Sequence, residues 1–273
     1  MKFIKKGEKL NNVRITTSNV VIQEIQSGDK DNDKIIILGA GNTLDVDEND
    51  VVTWHDPLMM LPEFEFNPSI KVFIFYFARY CDGLNEAGQD IAHWVNSRFR
   101  NKTVYFIGHS KSGLCLYNAS RFVTRAVKLK IVTISAPYKG TVMASSMAFE
   151  MHHKKFAPLL NFIHKLIFSD HNVDRDIVPE SRFIKNLPTK LRDDIIMYNI
   201  VSRIKGTEGC RSLLDFLMVL LEWAAEIDGD AIVPSKSQMY GDCYYQGIII
   251  SSHTDSLKRG LNALLNGPLK ELS

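Results

Sequence analysis

The sequence predicts an α/β fold with a mostly parallel central sheet and helices on both faces. Three observations carry this. Short, wholly apolar and often β-branched runs recur along the chain; segments of helical periodicity separate several of them; and polar residues with catalytic chemistry stand directly after their ends. Strands buried on both faces by crossover helices have this pattern.

In chain order, residues 12–17 and 20–25 alternate apolar and polar side chains around Ser18-Asn19, as an antiparallel hairpin does. A polar, turn-rich stretch follows over 27–33. Ile35-Ile36-Ile37-Leu38 then reads as a buried strand opening into a loop at Gly39-Ala40-Gly41-Asn42. Residues 72–77 form the next strand, and 85–100 its helix, with Ala87, Ile91, Trp94, Val95 and Phe99 near one face. Residues 103–107 are a further strand. After Gly108-His109-Ser110 comes a helix with Leu116, Ala119, Ser120, Val123 and Val127 along one side. Strands over 130–134, 195–201 and 244–250 and a closing helix over 255–265 complete the series.

A chain of 273 residues, 45% hydrophobic and 23% charged, suits a single α/β domain over residues 1–273. The stretch 143–192 interrupts the strand pattern. Within it Phe156, Leu159, Leu160, Ile163 and Ile167 recur at helical spacing beside Lys154, Lys155 and Lys165, which predicts an amphipathic cap or lid inserted over one end of the sheet. Residues 212–225 are nearly continuously apolar, yet a membrane span needs roughly 20 such residues. Asp215 and Glu222 interrupt the run and share a helical stripe with Arg211 and Glu226, so no transmembrane segment is expected.

Charge and composition exclude several classes of partner. Lys+Arg 33 against Asp+Glu 31 leaves a net charge of +2 with no basic cluster, so nucleic acid is not expected as a ligand. The basic start Met1-Lys2-Phe3-Ile4-Lys5-Lys6 runs into Gly7-Glu8-Lys9 where a signal peptide would need its apolar core, and the expectation is a cytoplasmic protein. Cys81, Cys115, Cys210 and Cys243 are widely spaced and read as reduced thiols. His152, His153, His164 and His171 match no metal-binding spacing. Gly39-Ala40-Gly41 lacks the third glycine of a dinucleotide loop, Leu44 standing in its place, so neither metal nor cofactor is expected.

Ligands of open α/β sheets gather beyond the carboxyl ends of the strands. The strand at 103–107 is followed by Gly108-His109-Ser110-Lys111-Ser112-Gly113. This resembles the nucleophile elbow G-x-S-x-G, in which a serine sits on a strained strand-to-helix turn. The second motif glycine is Ser112 here, with Gly113 one place later; serine is small enough for the tight packing at that point. A serine hydroxyl needs a base, and His253, after the last strand, is the histidine whose position fits. The imidazole in turn needs a carboxylate, and Asp228-Gly229-Asp230-Ala231-Ile232-Val233-Pro234 offers two. That run is similar to the D-G-x-V-P or D-x-I-V-P acid loop of lipase-like hydrolases; its alignment favours Asp230, with Asp228 as the alternative. Oxyanion donors are expected from the backbone N–H of Lys111, after the nucleophile, and of Ala40, between two glycines.

Together these motifs resemble the lipase and esterase branch of the α/β-hydrolase superfamily. Thr133-Ile134-Ser135-Ala136-Pro137-Tyr138-Lys139-Gly140-Thr141 adds to the likeness, being similar to the T-P-H-x-G-[ST] segment of many lipases. The resemblance implies a serine hydrolase that cleaves a carboxylic ester through an acyl-enzyme on Ser110. Its substrate would be a small-molecule acyl ester with an apolar acyl part, admitted under a helical cap. An acyltransferase with the same triad, or a non-catalytic binding protein retaining the fold, are the alternatives. Met59, Met60, Leu61, Phe64 and Phe66 lie in an expected loop after Trp54-His55-Asp56-Pro57; such residues are more often core than pocket.

Overall fold

Chains of β-branched and aromatic residues with no polar side to offer water need cover on both faces, and here they receive it within one sheet. The computed structural model describes residues 2–3, 6–55, 60–61, 65–141, 144, 172–204, 228–230 and 232–273. Its strands are β1 Lys2–Phe3, β2 Val13–Thr16, β3 Val20–Gln26, β4 Lys34–Val46, β5 Val52–His55, β6 Met60–Leu61, β7 Lys71–Phe77, β8 Thr103–His109, β9 Lys128–Ile134, β10 Ile196–Arg203 and β11 Tyr245–Ile250. The helices are α1 Leu84–Arg98, α2 Lys111–Ala119, α3 Asn172–Asp176, α4 Arg182–Lys185, α5 Ser235–Gln238 and α6 His253–Leu265.

The nine-stranded sheet has the order β11-β10-β9-β8-β4-β7-β3-β2, with β5 paired to β4. From β11 to β7 every neighbouring pair is parallel, while β3 and β2 add on antiparallel as the expected hairpin. The chain leaves β4 for β7 on one side and then crosses to β8 on the other. The carboxyl ends of β4 and β8 therefore flank a switch in strand order, where open α/β sheets hold their ligands.

Each face has its own core. Ile35, Ile37, Phe73 and Phe75 pack with Ala87, Ile91, Trp94 and Val95 of α1 and with Leu114 and Leu116 of α2. Ile36, Leu38, Val72 and Ile74 point the other way, to Leu257, Leu261 and Leu264 of α6. The alternation of a strand has thus divided one apolar run between two cores.

Several boundaries differ from the sequence reading. The glycine-rich run after Leu38 is not a loop: β4 continues to Val46, its register with β7 jumping between Gly39 and Thr43, and its far half pairs with β5. Gly41 takes φ 85° in this bulge, a conformation that costs glycine nothing. The helix after Ser110 stops at Ala119 instead of reaching Val127, because Asn96 of α1 takes over the backbone there, accepting from the Thr124 N–H and donating to the Phe122 carbonyl. Val123 and Val127 are buried from a turn. His253 is the first residue of α6 and does not precede it in a loop. Met60 and Leu61, expected in a loop, pair with Lys2 and Phe3, and Phe66 is core.

Of the expected cap at 143–192, residue 144 and residues 172–192, with α3 and α4, are described; the amphipathic stretch around Phe156–Ile167 and its histidines lie outside the described residues, as does the apolar segment 212–225. Among the described residues no helix is long and apolar enough to cross a membrane.

Ile36 and Ile37 are both fully buried, one on each face. Ile36→Ala and Ile37→Ala should each cost about 2–5 kcal/mol in urea denaturation. A large loss from one and a trivial loss from the other would mean that one face of β4 is open to water.

Candidate active site

Ser110 occupies the turn between β8 and α2 with φ 54° and ψ −131°. Such a backbone costs a non-glycine residue about 1–3 kcal/mol and persists only where the surroundings impose it. Here the Ser110 N–H donates to the Ile134 carbonyl at 2.9 Å, and the Gly113 N–H closes the turn on the Ser110 carbonyl at 2.9 Å. Strand and helix approach so closely that a Cβ on Gly108 would stand 2.6 Å from the Gly113 backbone. Ser112, the departure from the motif, is buried, and its Oγ accepts the Gly41 N–H at 2.9 Å. The substituted serine thereby ties the β4 bulge to the elbow. A Cβ on Gly41 would lie 3.8 Å from the Ser110 Cβ, so the backbone at 40–41 runs directly beside the serine.

The structure brings Ser110, His253 and Asp230 together from three separate elements. His253 Nε2 is 2.9 Å from Ser110 Oγ, and His253 Nδ1 is 2.8 Å from Asp230 Oδ2. The His253 backbone N–H also donates to the Asp230 carbonyl at 2.9 Å, which uses a free N–H at the start of α6 to fix the helix on the acid loop. Asp228 is exposed, whereas Asp230 has no exposed surface.

A carboxylate so deeply buried survives ionised only with donors on both oxygens. Asp230 Oδ1 accepts the Ile232 and Val233 N–H groups at 3.2 and 2.8 Å, and Oδ2 accepts the Ser202 hydroxyl at 2.6 Å as well as His253. Burial pushes its pKa up, but the charge and hydrogen bond of His253, the Ser202 hydroxyl and the Val233 N–H together hold it below the usual carboxylate range.

The stretch 133–141 has a structural task in this arrangement. The Lys139 N–H donates to Ser237 Oγ at 3.1 Å, Ser237 Oγ donates to the Gly140 carbonyl at 2.6 Å, and Thr141 Oγ1 donates to the Ile232 carbonyl, so the segment clamps the acid loop from outside. Gln238 grips it from inside, donating to the Ser202 and Val233 carbonyls and accepting the Ser202 N–H.

Lys111 opens α2, so its backbone N–H belongs to the helix terminus beside Ser110. Its side chain is buried and pairs with Asp174 of α3 at 2.7 Å. Ala40 lies in the β4 bulge, next to the backbone that passes the serine. Sequence reading placed Ser112 in the elbow only as a small residue and missed Ser135, Ser202, Gln238 and Asp174 as neighbours of the site. The signal available for Ser135 and Ser202 was a hydroxyl near the end of an otherwise apolar strand.

His109 is a buried histidine beside the nucleophile whose ring centroid lies 4.6 Å from that of His253. Burial, and after it the proximity of His253, depress its pKa to about 3, so the folded protein holds it neutral. An unfolded histidine titrates near about 6.5. Below that value the unfolded chain binds the extra proton, and stability contributed by neutral His109 is lost as pH falls towards the folded pKa. Between about pH 7.5 and about pH 5 the loss should be about 2 kcal/mol in urea denaturation. His109→Gln should flatten that acid-side slope; an unchanged slope would show that another group carries it.

No known protein family and no curated protein matches the chain by sequence. Solved structures do match it in three dimensions. The mature form of the Bacillus licheniformis lipase BlEst2 superposes with a TM-score of 0.57 over 93% of this chain and 98% of that one, at 14% identity. The propeptide form of the same lipase gives 0.53 over 93% of this chain and 54% of that one, at 13% identity. This likeness, with the parallel sheet, its two covering layers and the strand order, shows that the chain has the α/β-hydrolase fold.

Proposed function

We propose that this protein is a serine hydrolase that cleaves a carboxylic ester through an acyl-enzyme on Ser110. The observation that carries the reading is the continuous hydrogen-bonded line from the Ser110 hydroxyl through both nitrogens of His253 to Asp230. In that line Asp230 accepts the Nδ1 proton, which leaves Nε2 free to accept the proton of Ser110. The hydroxyl oxygen attacks the ester carbonyl while its proton passes to Nε2. The oxyanion formed would be met by the N–H groups of Lys111 and Ala40. Collapse of the intermediate returns the proton to the departing alcohol, and water, deprotonated by the same histidine, releases the acid and regenerates Ser110.

The fold shared with a lipase supports an acyl ester as the substrate class. The predicted cap, rich in phenylalanine, leucine and methionine, supports an apolar acyl part.

A fluorophosphonate probe should label the wild-type protein stoichiometrically and Ser110→Ala not at all; labelling that survives in Ser110→Ala would place the nucleophile elsewhere. Asp230→Asn should lower kcat by about 10³- to 10⁴-fold by trapping the wrong tautomer. Asp228→Asn should leave kcat within about twofold, in keeping with surface substitutions of small effect. The reverse ranking would transfer the role of acid to Asp228.

A further inference from the structure

Behind Asp230 lies a set of buried hydroxyls that the reaction itself does not use. Ser202, near the end of β10, donates to Asp230 Oδ2 at 2.6 Å, the oxygen that also accepts from His253. Ser135, just past the end of β9, stands with its Oγ 2.5 Å from Ser202 Oγ and 2.8 Å from Ser256 Oγ on α6. Ser256 donates to the His253 carbonyl at 2.8 Å and lies 3.0 Å from His109 Nε2. Ser135, Ser202, Ser256 and Asp230 have no exposed surface.

The hydrogens near the carboxylate follow from what each atom can do. An ionised carboxylate only accepts, so the Ser202 hydrogen goes to Asp230. The single Ser135 hydrogen can serve Ser256 Oγ at 2.8 Å or Ser202 Oγ at 2.5 Å, and with the Ser202 hydrogen committed to Asp230 the shorter contact takes it. Without that donor the Ser202 hydroxyl could swing to Gln238 Oε1, 3.3 Å away, and leave Oδ2 with His253 alone. A second observation singles out Ser135: its φ is 55°, the left-handed region, in a fully buried residue with a glycine-free neighbourhood on both sides. Strain of this kind marks positions held for function. An L-residue kept there where glycine would relax has its side chain to account for it.

We propose that Ser135 and Ser202 are positioning residues of the catalytic acid: Ser135 orients the Ser202 hydroxyl, and Ser202 fixes the carboxylate oxygen that steadies His253. No proton leaves along this line; its effect is to hold one oxygen in place and to draw off part of its charge. The proposal rests on the reading of Ser110, His253 and Asp230 as a triad. Among the described residues, His109 on β8 reaches the pair through Ser256, and on α6 Asp255 is held by Arg259 at 2.6 Å.

Two variants separate this role from simple packing. Ser135→Gly removes the hydroxyl while relieving the backbone strain, so it should fold with undiminished thermal stability. Ser202→Ala removes the donor itself, and Ser202→Thr restores it in a side chain that suits a strand. With p-nitrophenyl butyrate as probe, Ser135→Gly and Ser202→Ala should each lower kcat about tenfold with KM unchanged, the loss of one oriented hydrogen bond to a charged group. The acidic limb of kcat/KM should move in both variants, since loss of that donor changes the charge carried by the carboxylate. Ser202→Thr should restore both. The downfield proton resonance of His253 Nδ1–H should shift in the two defective variants whether or not the probe is turned over. An unmoved resonance and pH limb in both variants would overturn the proposal. A shifted resonance in a protein that neither turns over the ester nor takes the phosphonate label would uphold the network and sink the reading of Ser110 as nucleophile.

Discussion

A carboxylate with no access to water is the constraint on which this site rests. Moving a bare charge into the interior costs many kcal/mol, and proteins meet that cost with complete hydrogen bonding or lose the charge. Asp230 takes two backbone N–H groups of its own loop, a hydroxyl from β10 and an imidazole from α6. Each donor fixes the element that carries it. The acid loop must fold back on itself, β10 must end where Ser202 can reach, and α6 must start at His253 and no later. The last point explains why the helix begins earlier than apolar periodicity implied: its first N–H is held by the Asp230 carbonyl.

A second constraint acts at the other end of the proton path. The strained turn at Ser110 requires strand and helix to come closer than side chains normally permit, and Gly108 and Gly113 supply the room. Where the motif would place a further glycine, Ser112 uses its small side chain to bind the Gly41 N–H. A hydroxyl at that point gives the bulge of β4 a fixed position relative to the serine, which a glycine could not do. Loss of a motif residue has here been converted into a contact, and the geometry of the elbow is retained.

How legible this was differs by residue. The strands read clearly because Ile35–Leu38 and the runs like it had no polar side, so their burial on both faces followed from composition alone. Ser110, His253 and Asp230 could be picked out because each follows a recognisable strand or lies in a recognisable loop. What the sequence hid were contacts between distant segments. Nothing local says that Asn96 will cap the turn after Ala119, or that the β4 bulge will resume pairing with β5. Ser135 and Ser202 lie 67 positions apart, and a serine after an apolar strand is as consistent with a turn as with a buried donor. Such residues become meaningful only when the sheet order sets β9 beside β10.

The same logic extends to the side of the site where the chain returns from the predicted cap. Lys111 is held by sequence at the start of α2, yet its ammonium is buried and paired with Asp174 of α3. Removing one partner of a buried pair leaves a charge without compensation, which typically costs about 3–5 kcal/mol, far more than the pair itself contributes. The return of the chain at α3 is therefore tied to the residue that follows the nucleophile. One carboxylate oxygen of Asp174 is satisfied by Lys111, while the other is buried with no partner among the described residues. The pair thus holds α3 against the elbow, so the return from the predicted cap is fixed in position relative to the nucleophile.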